Sequence, residues 1–182
     1  MRHGQDDESY VGGWSDLVLI PEGREQVRES ALWIKDNLNI KRIVCSDIKR
    51  AVESASIVSS VIGIPVEKNS NLREQNKGLM NGMLKEKACE EYSWFKNDEV
   101  TVDTVFPEGE SLRGLYNRVK DYLDKILEYP DDTLIVTHRG VINMIYYILN
   151  NKEVDMDKKQ FNVTVASVHE LDKDKKVIRR IK

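Results

Sequence analysis

Apolar positions Val27, Ala31, Ile34 and Leu38 recur at helical spacing between Glu22 and Asn39, which predicts a first helix after a polar opening and the turn signal Gly12-Gly13. Arg42 to Cys45 reads as a short buried strand. Ser46-Asp47 then offers N-cap chemistry to a helix with Ile48, Ala51, Ala55, Val58 and Ile62 on one face, ended by Gly63 and Pro65. A strand is expected around Val66, and the polar, punctuated stretch from Asn69 to Gly82 reads as a surface loop.

The pattern turns helical again from Leu84 to Phe95, then irregular to Pro107, where Val100, Val102 and Phe106 suggest a lid. Ser111 opens the clearest amphipathic stripe, Leu112 to Leu127, which Tyr129-Pro130-Asp131 stops. Thr133 to Thr137 is a buried-type strand with an apolar helix, Val141 to Leu149, directly behind it. Strands near 163–171 and 176–181, turning at 172–175, would finish the chain as a hairpin. Strands alternating with helices predict an α/β fold, a three-layer αβα arrangement around a mainly parallel sheet. Ligands bind beyond the carboxyl ends of such strands, which directs attention to Cys45-Ser46-Asp47 and Thr137-His138-Arg139-Gly140.

Composition narrows the classes. With 182 residues, a single domain over 1–182 is expected, with 83–106 shaping the substrate side. Lys and Arg number 28 against 31 Asp and Glu, a net charge of −3, so no protein-wide nucleic-acid field exists and any anion site must be local. The apolar run Met144 to Leu149 is far too short for a membrane span and the polar start has no leader pattern, so a cytoplasmic location is the default expectation. Cys45 and Cys89 have no metal-ligand spacing and read as reduced thiols, and no metal or cofactor is called for. Oligomeric state is left open.

The nucleotide-binding glycine motifs, HExxH and GxSxG are all missing. What remains are four polar constellations in expected connections: Arg2-His3-Gly4, Ser46-Asp47 with Arg50, Leu72-Arg73-Glu74, and Thr137-His138. Around them the chain resembles the histidine phosphatase superfamily, in its phosphoglycerate mutase-like branch. The family's RHG stands at Arg2 to Gly4, GWxD at Gly13 to Asp16, GxxQ at Gly23 to Gln26 and SDxxRAxxSA at Ser46 to Ala55. LRExxxGxxxG follows at Leu72 to Gly82, GESxxxxxxRV at Gly109 to Val119, and VTHxG ends on Thr137-His138-Arg139-Gly140.

The resemblance implies a phosphohistidine intermediate on His3, with a small phosphorylated substrate as partner. A phosphomonoester dianion needs convergent cations, and the guanidinium fork suits Arg2 and Arg50 to that role. Neighbouring arginines disfavour protonation of His3 and so favour the attacking form. His138 would donate to a phosphoryl oxygen, and Glu74 would protonate the leaving alkoxide and then activate water. Mutases of this family carry a longer insertion than the 35 positions from Glu74 to Gly109, so hydrolysis is favoured over phosphoglycerate mutase-type transfer. A non-catalytic phosphate-binding protein is the rival from another class.

That rival arises from a departure. In the family an apolar strand leads directly into RHG, whereas here only Met1 precedes Arg2. Residues 1 to about 12 are therefore expected to be poorly anchored, with His3 displaced from Arg50, Glu74 and His138 and activity impaired. Asp6 and Asp7 are expected in solvent, and Arg139, which replaces the usual second residue of HGG, to point outward from its helix. Arg73 and Glu110 read as surface or ion-pair residues, Trp14 and the other aromatics as packing, and His169 as an ordinary, partly exposed strand residue.

Overall fold

Side chains alternate across β1 (Arg42–Cys45) because successive strand residues point to opposite faces, and this alternation organises the molecule. The computed structural model describes residues 1–96, 99–129, 131–157, 160–172 and 174–182. In it Ile43 and Cys45 pack with Val27, Ala31 and Ile34 of α1 (Pro21–Asn37) and Ala55 and Val58 of α2 (Lys49–Ile62). Val44 faces the other way, toward Leu115, Val119 and Leu123 of α5 (Leu112–Leu127) and Val141, Ile142 and Met144 of α6 (Arg139–Leu149). In β3 (Thr133–Val136), Leu134 and Val136 join the first group and Ile135 the second. Ile43 and Val136 have no exposed surface, and each such burial stabilises the fold by about 1.5–3 kcal/mol.

The sheet is parallel in the order β2-β1-β3, with β2 at Val66–Lys68 and registers Ile43↔Val66 and Ile43↔Leu134. Helices cover both faces, as the alternation of strand and helix requires. A second, antiparallel pair joins β4 (His169–Asp172) to β5 (Val177–Arg180). Between α2 and α5 lie two short 3-10 turns, then α3 (Lys85–Glu91) and α4 (Ser93–Lys96). Among the described residues no helix is long and apolar enough to cross a membrane.

Several boundaries differ from the sequence reading. Ser46 and Asp47 do not cap α2, whose cap residue is Ile48 with no side-chain cap. The Ser46 hydroxyl accepts from Ile48 N–H at 3.3 Å, outside the helix, and lies 2.8 Å from His138 Nε2, while Asp47 pairs with Arg73. The 69–82 stretch is no simple surface loop, since Leu72 and Met80 are buried and it forms a wall of the main cleft. The last hairpin begins at His169 rather than 163, because Asn162 and Ala166 take left-handed backbone (φ 49° and 53°) that breaks an extended run. The expected stop at Pro130 and the turn position Lys173 lie outside the described residues, as do 97 and 98 within the 83–106 segment. Gly63 does end α2, in the left-handed conformation.

The expected fraying of the amino terminus is overturned. Thr137 N–H donates to the Met1 carbonyl at 3.0 Å and His3 N–H to the Thr137 carbonyl at 2.9 Å, a parallel bridge on the free edge of β3. On the opposite side Arg2 N–H donates to Ser167 O and Ala166 N–H to His3 O, both at 3.0 Å. Residues 1–3 are thus held by backbone bonds on both edges. Gly4 then turns against α1, where an added Cβ would stand 2.3 Å from the Gly23 carbonyl oxygen. Val11 exchanges backbone bonds with Gly82 and Met83. Farther along β3, a cavity of about 470 Å³ is lined by Met1, Leu134 and Ile135 on one side and Val168 and Leu171 on the other.

Candidate active site

His3 ends the paired segment, is 4% exposed, and faces a cleft of about 890 Å³ beyond the carboxyl ends of the strands. Its Nδ1 lies 2.6 Å from the Gly4 carbonyl oxygen. A carbonyl can only accept, so Nδ1 carries the proton and Nε2 presents a lone pair. The Arg50 Nε–H donates to that lone pair at 3.3 Å. Burial, followed by the Arg50 and Arg2 charges, holds the His3 pKa well below 6.5, so the ring is neutral.

Arg50 stands in the first turn of α2, 2% exposed, and is fixed by the Ser15 hydroxyl (3.2 Å), the Gly13 carbonyl (2.8 Å) and the Asp6 carboxylate (3.3 Å). Asp6 is therefore not a solvent residue as expected; with 14% of its side chain exposed, it partly neutralises the most buried guanidinium. Asp7 is exposed, as expected. Arg2 donates from Nη1 to the Val163 carbonyl at 3.0 Å, and its Nε has no partner among the described residues. Burial and then Arg139 lower its pKa to about 10.

His138 is the cap residue of α6 and has no exposed surface. Its Nε2 is 2.8 Å from the Ser46 hydroxyl and its Nδ1 has no partner among the described residues. The two imidazole centroids are 5.1 Å apart. Burial, then Arg50, keeps His138 neutral as well. Arg2, His3, Arg50 and Glu74 line the cleft together, and His138 stands behind its wall against His3.

Glu74 is held at both ends. Its Oε1 accepts from Gln75 N–H (2.9 Å) and its Oε2 from Gly140 N–H (3.1 Å) in the first turn of α6. Its backbone carbonyl accepts from the Trp14 indole at 2.7 Å and from Arg118 Nη2 at 3.1 Å. Arg118 pairs with Glu110 at 2.7 Å, and Arg73 lies over the Trp14 ring at 4.6 Å while pairing with Asp47. Arg73 and Glu110 are ion-pair residues, as read from the sequence. Arg118 was missed as a site residue, although it stands in the GESxxxxxxRV motif; the signal was present without an assigned purpose. Gly140 is required here, because a Cβ would lie 2.0 Å from Glu74 Oε1.

Phe95, Val100 and Phe106 of the 83–106 segment line the outer cleft. Arg139 also lines it, half-buried, instead of pointing outward. His169 is more engaged than expected: the Tyr146 hydroxyl lies 2.9 Å from Nδ1 and the Ser167 hydroxyl 2.9 Å from Nε2. Ser167 donates to Thr164 O, so Nε2–H donates to Ser167 and Nδ1 accepts from Tyr146. Burial lowers its pKa to about 3. Among the described residues no cluster of His, Cys, Asp and Glu could hold a metal ion. Burial pushes the Cys45 thiol up to about 11.

Comparison with known proteins places this geometry. The sequence profile of the histidine phosphatase superfamily (branch 1) matches residues 1–182. Over 156 residues the chain is 32% identical to phosphoglycerate mutase-like protein 4 of Arabidopsis thaliana, covering 80% of this chain and 67% of that protein. The crystal structure of the alpha-ribazole phosphatase from Shigella flexneri superposes with a TM-score of 0.78 at 24% identity, covering 99% of this chain and 92% of the other. The native structure of mycobacterial glucosyl-3-phosphoglycerate phosphatase gives 0.68 at 22%, covering 91% and 79%. At these identities the two structures speak to the fold.

Proposed function

As the chain belongs to the histidine phosphatase superfamily, branch 1, we propose that it hydrolyses small phosphomonoesters through a phosphohistidine formed on His3 Nε2. One observation carries this reading: a buried, neutral imidazole whose lone pair points toward Arg50 in a cleft shared with Arg2. Phosphoryl transfer passes through a loose transition state that asks chiefly for positioning and electrostatic stabilisation. As the ester enters, the Arg50 Nε–H exchanges His3 Nε2 for a phosphoryl oxygen, which frees the nucleophile. Arg2, with an unpartnered Nε, takes a second oxygen, and the unpartnered Nδ1 of His138 a third if that nitrogen carries the proton.

In the first step the N–P bond forms as the P–O bond breaks, and Glu74 gives its proton to the leaving oxygen. In the second step Glu74 takes a proton from water, which attacks phosphorus and releases phosphate and His3. The hydrogen bond from His3 Nδ1 to Gly4 O keeps the ring in the required tautomer and orientation throughout. The anchoring of His3 beside Arg50 and His138, in a cleft shared with Glu74, supports hydrolysis over non-catalytic phosphate binding.

The test is hydrolysis of p-nitrophenyl phosphate by the wild type and by His3→Ala, with acid-labile, base-stable label retained on the wild-type chain after brief exposure to a labelled ester. The substitution is expected to lower turnover by about 10³-fold or more. Undiminished turnover in His3→Ala would remove the nucleophile. The similarity to phosphoglycerate mutase-like protein 4 favours transfer to a second hydroxyl as the other reading. Acceleration of phosphoglycerate interconversion by a bisphosphate primer, exceeding hydrolysis, selects it.

A further inference from the structure

Resting on the phosphatase reading above, we propose that Arg139 forms a second anion-binding position beside the phosphoryl site, so that the preferred phosphomonoester carries a further carboxylate or phosphate on its leaving group.

The arginines of this chain are otherwise engaged. Arg24, Arg73 and Arg118 each pair with a carboxylate, Arg50 with Asp6, and Arg2 and Arg180 with backbone carbonyls. Arg139 alone has neither an ion pair nor a side-chain hydrogen bond among the described residues, although it is half-buried and lines the catalytic cleft. An uncompensated guanidinium in a partly desolvated cleft is costly, and an incoming anion offsets that cost.

Its place follows from Glu74. The proposed proton donor rests on the backbone N–H of Gly140, the very next residue, so Arg139 stands on the side from which the leaving group departs. The Arg139 charge also acts on Arg2, whose pKa it helps lower, and both side chains line the same cleft.

Carboxylates make up much of the remaining wall, whose other cations are Lys77, donating to Gln75 and lying over Phe106, and Lys85. Asp6 is spent on Arg50, Asp7 on Ser9, and Asp155 on the Tyr147 hydroxyl and the Asp157 N–H. Glu8 and Asp157 add further negative charge to the wall. Of the lining cations outside the phosphoryl site, Arg139 is the one next to the Gly140 N–H that holds Glu74, so a second anion on the leaving group meets Arg139.

The experiment is calorimetric titration in the His3→Ala background, which cannot be phosphorylated, with and without Arg139→Gln or Arg139→Lys. The probes are alkanediol monophosphates of two to four carbons, the matching bisphosphates, and the matching ω-carboxyalkyl phosphates. One spacer length is expected to bind at least about tenfold tighter with a second anion than with a hydroxyl, the bisphosphate and carboxylate arms telling which anion fits. Arg139→Gln should bring that preference within about twofold, and Arg139→Lys should keep part of it as a point charge. No preference at any spacer, no binding of any probe, or an equal loss for all probes in Arg139→Gln overturns the subsite. Failure of wild-type hydrolysis with the preference intact would instead reject the phosphatase reading and leave the subsite standing.

Discussion

Gly140→Ala isolates the placement of Glu74 from its chemistry. The added Cβ would lie 2.0 Å from Glu74 Oε1 and 3.0 Å from both Glu74 Cδ and a Leu115 methyl, so the carboxylate must retreat by more than about 1 Å to reach ordinary contact. That movement breaks the 3.1 Å bond from Gly140 N–H to Oε2. A charge-assisted bond is worth about 1.5–3 kcal/mol and alanine regains up to about 1 kcal/mol of helix propensity, so net destabilisation should be about 0.5–3 kcal/mol and the chain should still fold. Activity should suffer more, since a misplacement of about 1 Å costs on the order of 10²-fold. Stopped-flow and steady-state assays read this on an alkyl phosphate, which needs its leaving oxygen protonated, and on p-nitrophenyl phosphate, which does not. We expect alkyl phosphate turnover to fall about 100-fold, while nitrophenolate appears in a burst of about one equivalent followed by slow hydrolysis. In a Glu74→Gln background the same substitution should have no further effect. Wild-type turnover of the alkyl ester, or losses that multiply in the double variant, would refute the reasoning.

Other consequences can be measured independently. All three histidines are held neutral in the fold, with pKa values below 6.5, whereas the unfolded imidazoles protonate near that value. The unfolded chain then binds more protons, so stability is full above about pH 7 and falls as pH drops through 6.5, by up to about 1.4 kcal/mol per pH unit per histidine. Urea titrations that are flat from pH 7.5 to 5.5 would contradict this. The same neutrality predicts that kcat/KM has no acid limb near pH 6.5 from His3, and a limb at that pH that survives in Glu74→Gln, after correction for the substrate's own second phosphate ionisation, would place protonation on the imidazole. Arg118→Gln removes one of the two donors to the Glu74 carbonyl and the guanidinium partner of Glu110, so it should lower alkyl phosphate kcat about tenfold and stability by about 1–3 kcal/mol; unchanged values would show that the arginine is incidental. Asp6→Asn removes the carboxylate facing Arg50 and should tighten inhibition by inorganic phosphate several-fold, whereas weaker inhibition would mean that Asp6 orients Arg50 for the ligand.

The alternation of buried strand and amphipathic helix was legible because each core face is written at a regular spacing: Leu115, Val119, Leu123 and Ile126 mark α5, and Leu134 and Val136 mark β3. Arg2, His3, Arg50, Glu74 and His138 could be named from the motifs, and the fold gathers them around one cleft. What the pattern could not carry were contacts made across the chain. The anchoring of Met1 to His3 depends on Thr137, Ser167 and Ala166, more than 130 positions away, so an end with one residue before Arg2 looked frayed. Asp6 looked like one of a solvated acidic run until α2 brought Arg50 to 3.3 Å. Ser46 read as a helix cap because local spacing favours that use; its hydroxyl stops short at Ile48 N–H, before the helix, and meets the distant His138.

The arrangement of charge explains why two imidazoles can remain neutral beside guanidiniums without disrupting the fold. A buried arginine without compensation would be costly, and Asp6 meets that need at the Arg50 Nε while Ser15 and Gly13 take Nη1 and Nη2. Its carboxylate acts on the guanidinium directly, leaving burial and the arginines to set the His3 pKa. Arg50 therefore keeps its charge near the nucleophile while the nucleophile is spared a proton. His138 completes the logic from behind: with no exposed surface, it adds a polar nitrogen near the reacting group without adding charge. An incoming dianion consequently meets fixed positive charge and unprotonated imidazole together, the combination that attack at phosphorus by nitrogen requires.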